Sequence, residues 1–175
     1  MNALKVLLEE HVIIMNLIGV LNRAKENLQT GKEVPQGFFR KTVDIIKNFA
    51  DRCHHGKEET VLFPLIKKHD ARETGVISML LEEHEKGRDL IRNLGEAISK
   101  NETDSMIENI DCYVALLPQH IRRENAFFPK WINPLSDKEK EEISEKFEEI
   151  EERAIGLGKH QEYVQNIEML KRSLA

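Results

Sequence analysis

Apolar side chains recur along the chain at helical spacing from its first turn. Leu4, Leu7, Leu8, Ile14, Met15, Ile18 and Leu21 form a stripe with His11 inside it, the i, i+3, i+4, i+7 pattern of an amphipathic helix. Thr30 to Gly37 reads as a loop. A second helix is expected from Phe38 to about His69 on Ile45, Ile46, Phe49, Leu62, Phe63 and Ile66, with Pro64 kinking it or ending its regular part. The third, from about Arg72 to Ser99, carries Ile77, Leu80, Leu81, His84, Arg88, Ile91, Leu94 and Ile98. Asn101 to Asp104 is the next turn, where Thr103 is expected as N-cap. The fourth helix bears Ile107, Ile110, Tyr113, Leu117, His120, Glu124, Phe127 and Trp131, with Pro118 in its interior. Ser136 and Glu139 match a capping box opening an acidic helix to about Ala154. Gly156-Leu157-Gly158 breaks that helix before a last one, Lys159 to about Ser173.

The pattern is all-α, and the lengths suit an antiparallel up-down four-helix bundle with additional C-terminal helices. At 1.5 Å per residue, His11, His55, His84 and His120 each lie about 12 to 17 residues from the ends of their helices, so such a bundle brings all four to nearly one level. At 175 residues the chain is expected to be one domain, with a core bundle over about 1–133 and an extension over about 136–173.

The chain also repeats itself. Leu7-Leu-Glu-Glu-His11 recurs letter for letter as Leu80-Leu-Glu-Glu-His84. His55 and His120 each stand nine residues before a proline, Pro64 and Pro129, and Glu59 and Glu124 stand five before the same prolines. Residues four apart share one face of a helix, so each His-x-x-x-Glu pair can reach one cation. His54 and Glu58 form a rival pair one residue out of step, and counting from the prolines selects His55 and Glu59, which sets Glu58 opposite Arg123. A buried histidine alone is more often a packed core residue than a ligand; the duplication is what lifts His11 and His84 above that reading.

Four imidazoles and two carboxylates, His11, His55, His84, His120, Glu59 and Glu124, suit first-row cations such as iron, manganese or zinc. They exceed the four donors of a tetrahedral site, so two cations bridged by the two glutamates are expected. No histidine has a Glu three residues before it, which disfavours the ferritin-like arrangement. A net charge of −5 offers no footprint for nucleic acid or an anionic membrane. With no signal core and two cysteines, a soluble, cytoplasmic protein with free thiols is expected. His160, outside the duplicated halves, is expected to be a bystander.

Asp51 to Pro64, Leu81 to Arg88 and Gln119 to Pro129 resemble the hemerythrin-like (HHE cation-binding) family over roughly residues 1–170. The resemblance implies a four-helix bundle around a non-haem di-iron centre (Fe2+/Fe3+) with a bridging oxo or hydroxo group, manganese or zinc serving as substitutes. It implies the same six ligands and a small oxidant, O2, peroxide or nitric oxide, as partner. Oxygen-carrying members have one more histidine, where this chain has Leu80. That departure turns the expectation from O2 carriage toward binding or sensing, with a di-iron oxidoreductase or an iron-handling protein as alternatives. Arg88, one turn after His84, is expected to hydrogen-bond an oxidant, pair with a carboxylate or reach solvent, and Tyr113 to belong to the core.

Overall fold

A computed structural model describes residues 2–156 and 158–174, so Leu157, in the expected break, lies outside the described residues. The described residues are helical, without a strand. In order they are α1 (Ala3–Gln29), α2 (Phe38–Ile45), a π-helical segment (Ile46–His55), a second π-helical segment (Glu58–Leu62), α3 (Phe63–His69), a 3-10 turn (Ala71–Glu73), α4 (Thr74–Lys100), α5 (Thr103–Ile132), α6 (Asp137–Ala154) and α7 (His160–Arg172). Residues 38–69 run without interruption, so the helix expected there is a composite of α and π turns.

Local chemistry sets the ends. The Asn2 side chain accepts from the Lys5 amide at α1, and Ser136 and Glu139 form the reciprocal capping box expected at α6. Thr103 is not an N-cap: α5 begins with it, Glu102 occupies the cap position, and no side chain caps that end. The preceding helix stops where Asn101 takes a left-handed φ of 57°, which an asparagine tolerates better than most residues. Pro64 follows the second π-helical segment at the start of α3 and, inside the continuous run, does not end the helix.

Two apolar clusters fill the interior, one containing Ile14, Phe49, Ile91 and Leu117, the other Leu7, Leu62, Leu80 and Phe127. Along α1 the chain passes from the second cluster to the first, along 38–69 from the first to the second, and the order alternates again in α4 and α5. In each of the four the buried histidines and glutamates fall where the chain passes from one cluster to the other, with Ile121 of the first cluster set between His120 and Glu124. A polar layer is thereby sealed at both ends by side chains whose burial contributes about 1.5–3 kcal/mol each. The C-terminal helices help to close it: α6 adds Ile143 and Phe147 to one cluster, α7 adds Ile167 and Leu170 to the other. Among the described residues no helix is long and apolar enough to cross a membrane.

Candidate metal centre

The polar layer contains five histidines and two glutamates, each less than a tenth exposed. They form two groups. His11 and His54 gather with Glu58 and Glu124, and His55, His84 and His120 gather with Glu58, the donor atoms of each group lying within 4.8 Å of one another. Both glutamates reach both groups. Glu58 Oε1 lies 3.2 Å from His54 Nε2 and 3.8 Å from His11 Nε2, while its Oε2 lies 3.4 Å from His84 Nε2. Glu124 Oε2 lies 3.2 Å from His11 Nε2, and its Oε1 lies 3.1 Å from His120 Nε2 and 3.5 Å from His84 Nε2. Each carboxylate thus aims one oxygen at each group.

Of the six residues singled out in the sequence, five are brought together here: His11, His55, His84, His120 and Glu124. Glu59 is not with them. Its place is taken by Glu58, and His54 joins as a fifth imidazole. The cause is one residue of chain length, since Glu58 precedes Pro64 by six residues and Glu124 precedes Pro129 by five. The surplus is absorbed in the second π segment, where the Phe63 amide bonds to the Glu58 carbonyl, five residues back, instead of four. Counting from the prolines therefore misaligns everything before that turn by one position. Corrected, His54 matches His120, Glu58 matches Glu124, Glu59 matches Asn125, and Lys57, rather than Glu58, stands opposite Arg123.

The corrected register brings out a two-fold resemblance in how the rings are held. His84 Nδ1 meets Glu59 Oε1 at 2.7 Å, and His11 Nδ1 meets Asn125 Oδ1 at 2.7 Å. His54 Nδ1 meets Glu10 at 2.8 Å, and His120 Nδ1 meets Glu83 at 2.9 Å. Lys57 donates to Glu10 as Arg123 donates to Glu83. Even the rings' apolar neighbours correspond: Phe63 stacks beside His84 at 5.9 Å and Phe128 beside His11 at 6.3 Å between centroids. His55 stands outside the symmetry, its counterpart being Ile121. The first π-helical segment ends on it, with the Gly56 amide bonded back to the Asp51 carbonyl, and this wider turn lets two consecutive histidines serve the same layer. Its Nδ1 lies 3.4 Å from Asp51 Oδ1.

Every one of the five Nδ1 atoms therefore faces an oxygen. An oxygen acceptor at Nδ1 holds one ring proton there and turns Nε2 inward, the arrangement that holds a metal-binding imidazole in place, and His84 Nε2 and His120 Nε2 meet at 3.0 Å. The inward atoms show the same preparation, since His11 Nε2 and all four oxygens of Glu58 and Glu124 make no hydrogen bond among the described residues. Such atoms, buried, are costly unless something else satisfies them. Donors about 2.1 Å from a shared ion stand roughly 3.0 Å apart at right angles and roughly 3.4 Å apart at tetrahedral angles. The separations of 3.1 and 3.2 Å that link Glu124 to His120 and His11 fall in that range, and the 3.5 Å to His84 lies just above it. The residues present thus fit a pair of cations.

With no cation, protons balance the two carboxylates. Burial opposes charge on His11 and His84, but Glu124 with Glu58 at the first, and Glu124 with Glu59 at the second, raise both from 6.5 to about 10. His55 goes the other way, pushed down to about 4 by burial and by neighbouring His84. Burial and Glu124 raise Glu58, yet the facing rings of His54 and His11 hold it down at about 2.

Arg88 pairs with carboxylates, donating to Asp51 at 2.8 Å and to Glu59, the two acids that support His55 and His84. Tyr113 is buried in the core. His160 stays outside both groups, edge-on to Phe49 and 3.4 Å from Glu151. A third group, Glu10, Cys53 and Glu151, lies behind His54. Its cation is already present as the Lys57 ammonium, bonded to both acids, and burial pushes the Cys53 thiol up to about 12, which keeps it neutral.

The profile of the hemerythrin HHE cation binding domain matches residues 2–131. Uncharacterized proteins of Mycobacterium tuberculosis and Mycobacterium bovis are each 23% identical to the chain, over 96% of its length and 68% of theirs. No solved structure matches it significantly.

Proposed function

The chain belongs to the hemerythrin HHE cation-binding domain family, and from that premise we propose that its polar layer holds two cations, natively iron, at which dioxygen or a related small oxidant is bound or sensed. The observation that carries this reading is the division of Glu58 and Glu124, each offering one oxygen to a two-imidazole group and the other to a three-imidazole group. Imidazole with carboxylate suits iron, with manganese or zinc as substitutes, and the neutral, lysine-blocked Cys53 leaves thiolate out of the set. His11 and His54 would hold one ion, His55, His84 and His120 the other, and the two glutamates both. When bound, iron supplies one-electron chemistry toward small oxidants. The protein's own part is to hold the rings by Nδ1 and set the spacing of the two ions between two apolar clusters. In this reading α1, residues 38–69, α4 and α5 are an antiparallel up-down bundle, and α6 and α7 complete the same domain.

Elemental analysis after anaerobic reconstitution with ferrous iron is the test, with optical spectra recorded before and after admitting air. Two irons per chain and an oxidant-dependent absorption change that Glu58→Gln abolishes are the expected result. Less than half an iron per chain, or iron content indifferent to Glu58→Gln and Glu124→Gln, would overturn it. A second reading, a di-iron oxidoreductase, is favoured by the open cavity beside the three-imidazole group, and sustained loss of peroxide under turnover would select it.

A further inference from the structure

A cavity of about 350 Å3 opens beside the three-imidazole group and has His55, His84 and His120 in its wall. Its size is out of proportion to a diatomic ligand. A water takes about 30 Å3 of liquid, so the space has room for roughly ten, and it lies within the range of small-molecule sites. The wall between the rings and the mouth is apolar, with Ile46, Ala50, Ile91 and Leu117. Tyr113 also lines it, and its hydroxyl makes no hydrogen bond among the described residues, leaving a donor for an occupant.

The mouth is cationic, in a chain whose net charge is −5. Lys47, Arg52, Arg88 and Arg92 stand there against two acids, Asp51 and Glu83. Arg88 is spent on Asp51, Glu59 and Glu85, and Arg92 pairs with Asp89. Lys47 and Arg52 have no carboxylate partner among the described residues; Arg52 donates only to the neutral Asn48 side chain, at 3.1 Å. A long apolar wall behind two uncompensated cations suits a molecule with an acid at one end and a hydrocarbon body at the other.

We propose that this cavity binds a small organic carboxylate, its acid group drawn to Lys47 and Arg52, its apolar body packed along Ala50 and Leu117, and its far end against the imidazoles of the three-histidine group. The inference rests on the cation reading above and adds its ligand class: the centre meets an organic acid as well as, or in place of, a bare oxidant. Calorimetric titration of the zinc-loaded protein with benzoate tests it. Acetate, which keeps the charge without the body, and benzyl alcohol, which keeps the body without the charge, are the controls. Benzoate is expected to bind at least tenfold more tightly than either. Leu117→Trp, which fills the cavity, is expected to abolish that binding with zinc content unchanged, and the exposed double variant Lys47→Glu, Arg52→Glu to erase the preference for benzoate over benzyl alcohol. Equal affinity for acetate and benzoate would mean coordination to the ion alone and would overturn the proposal. Should Leu117→Trp fail to fold, undiminished benzoate affinity in the double variant overturns it too. Zinc content measured before each titration separates the two readings: a chain that takes up no zinc fails the cation reading, and a loaded chain indifferent to benzoate fails this one alone.

Discussion

Protons and cations compete for the same nitrogens in the polar layer. His11 and His84, with pKa raised from 6.5 to about 10, are protonated at neutral pH when no cation is bound. Binding must displace those protons. His54, despite its burial, is raised as well by Glu58 and Glu10, so cation uptake at pH 7 is expected to release at least two protons per chain, measurable by calorimetry in buffers of different protonation enthalpy, and apparent affinity should strengthen as pH rises. Stability of the cation-free protein should move the opposite way. A group raised in the folded state stabilises fully below its unfolded pKa, so this contribution is present below about pH 6.5 and is lost as pH climbs through about 10. Thermal melting across that window, with and without zinc, should show the two curves diverging. The neighbouring glutamates separate just as sharply. Glu58→Gln removes a donor from both groups and should leave less than one tightly held ion per chain. Glu59→Gln removes only the acid behind His84 Nδ1, so two ions should still bind at saturation with affinity lowered roughly 10- to 100-fold. Elemental analysis and chelator competition on the two variants decide between them.

The same pair of glutamates shows what the helices contribute. An α-helical turn places adjacent side chains about 100° apart, so with the extra residue present an uninterrupted α-helix cannot aim His54 and Glu58 inward and still bring both Leu62 and Phe63 into the apolar cluster with Ile66. The widened turn at Glu58–Leu62 rotates one half of the helix against the other and satisfies both demands. Deleting exposed Thr60 restores the spacing of the second copy. The deletion should preserve both helical circular dichroism and zinc content, because a regular turn then joins the two ends in the orientation α5 already gives Glu124 and Phe128, whereas inserting one further residue after Thr60 should turn the histidine end away and drop zinc below one per chain. Regular spacing is what made α1, α4 and α5 readable: their histidines recur in stripes that need no correction. The 38–69 helix was misread at Glu59 because a π turn leaves no compositional mark, although the adjacent His54-His55 and Glu58-Glu59 doublets were a signal that one residue too many was competing for one face.

Across the whole molecule the centre is braced by helices outside the matched domain. Lys57, fully buried, joins Glu10 from α1 to Glu151 from α6, and Glu10 in turn holds the His54 ring. Lys57→Met strands a buried carboxylate without its cation, a loss of roughly 3–5 kcal/mol for a broken interior pair. Urea denaturation of the zinc-free protein should register that loss, and adding Glu10→Gln should recover part of it, whereas a bridge of no consequence would leave the midpoint unmoved.

Periodicity and duplication in the sequence alone determined that the chain is helical, where most helices begin and end, and that His11, His55, His84, His120 and Glu124 belong to one buried layer, because a stripe of side chains three and four apart has only one face to hide. Tertiary structure decided what such counting cannot: that Glu58 rather than Glu59 faces inward, that His54 joins it, that Asn125, Glu59, Glu10 and Glu83 hold the rings by their outer nitrogens, and that Lys57 ties the layer to α6. Those outcomes depend on which neighbours a helix must satisfy along its whole length at once, and a one-residue change of hydrogen-bond register between two packed ends is settled only when both ends are in place.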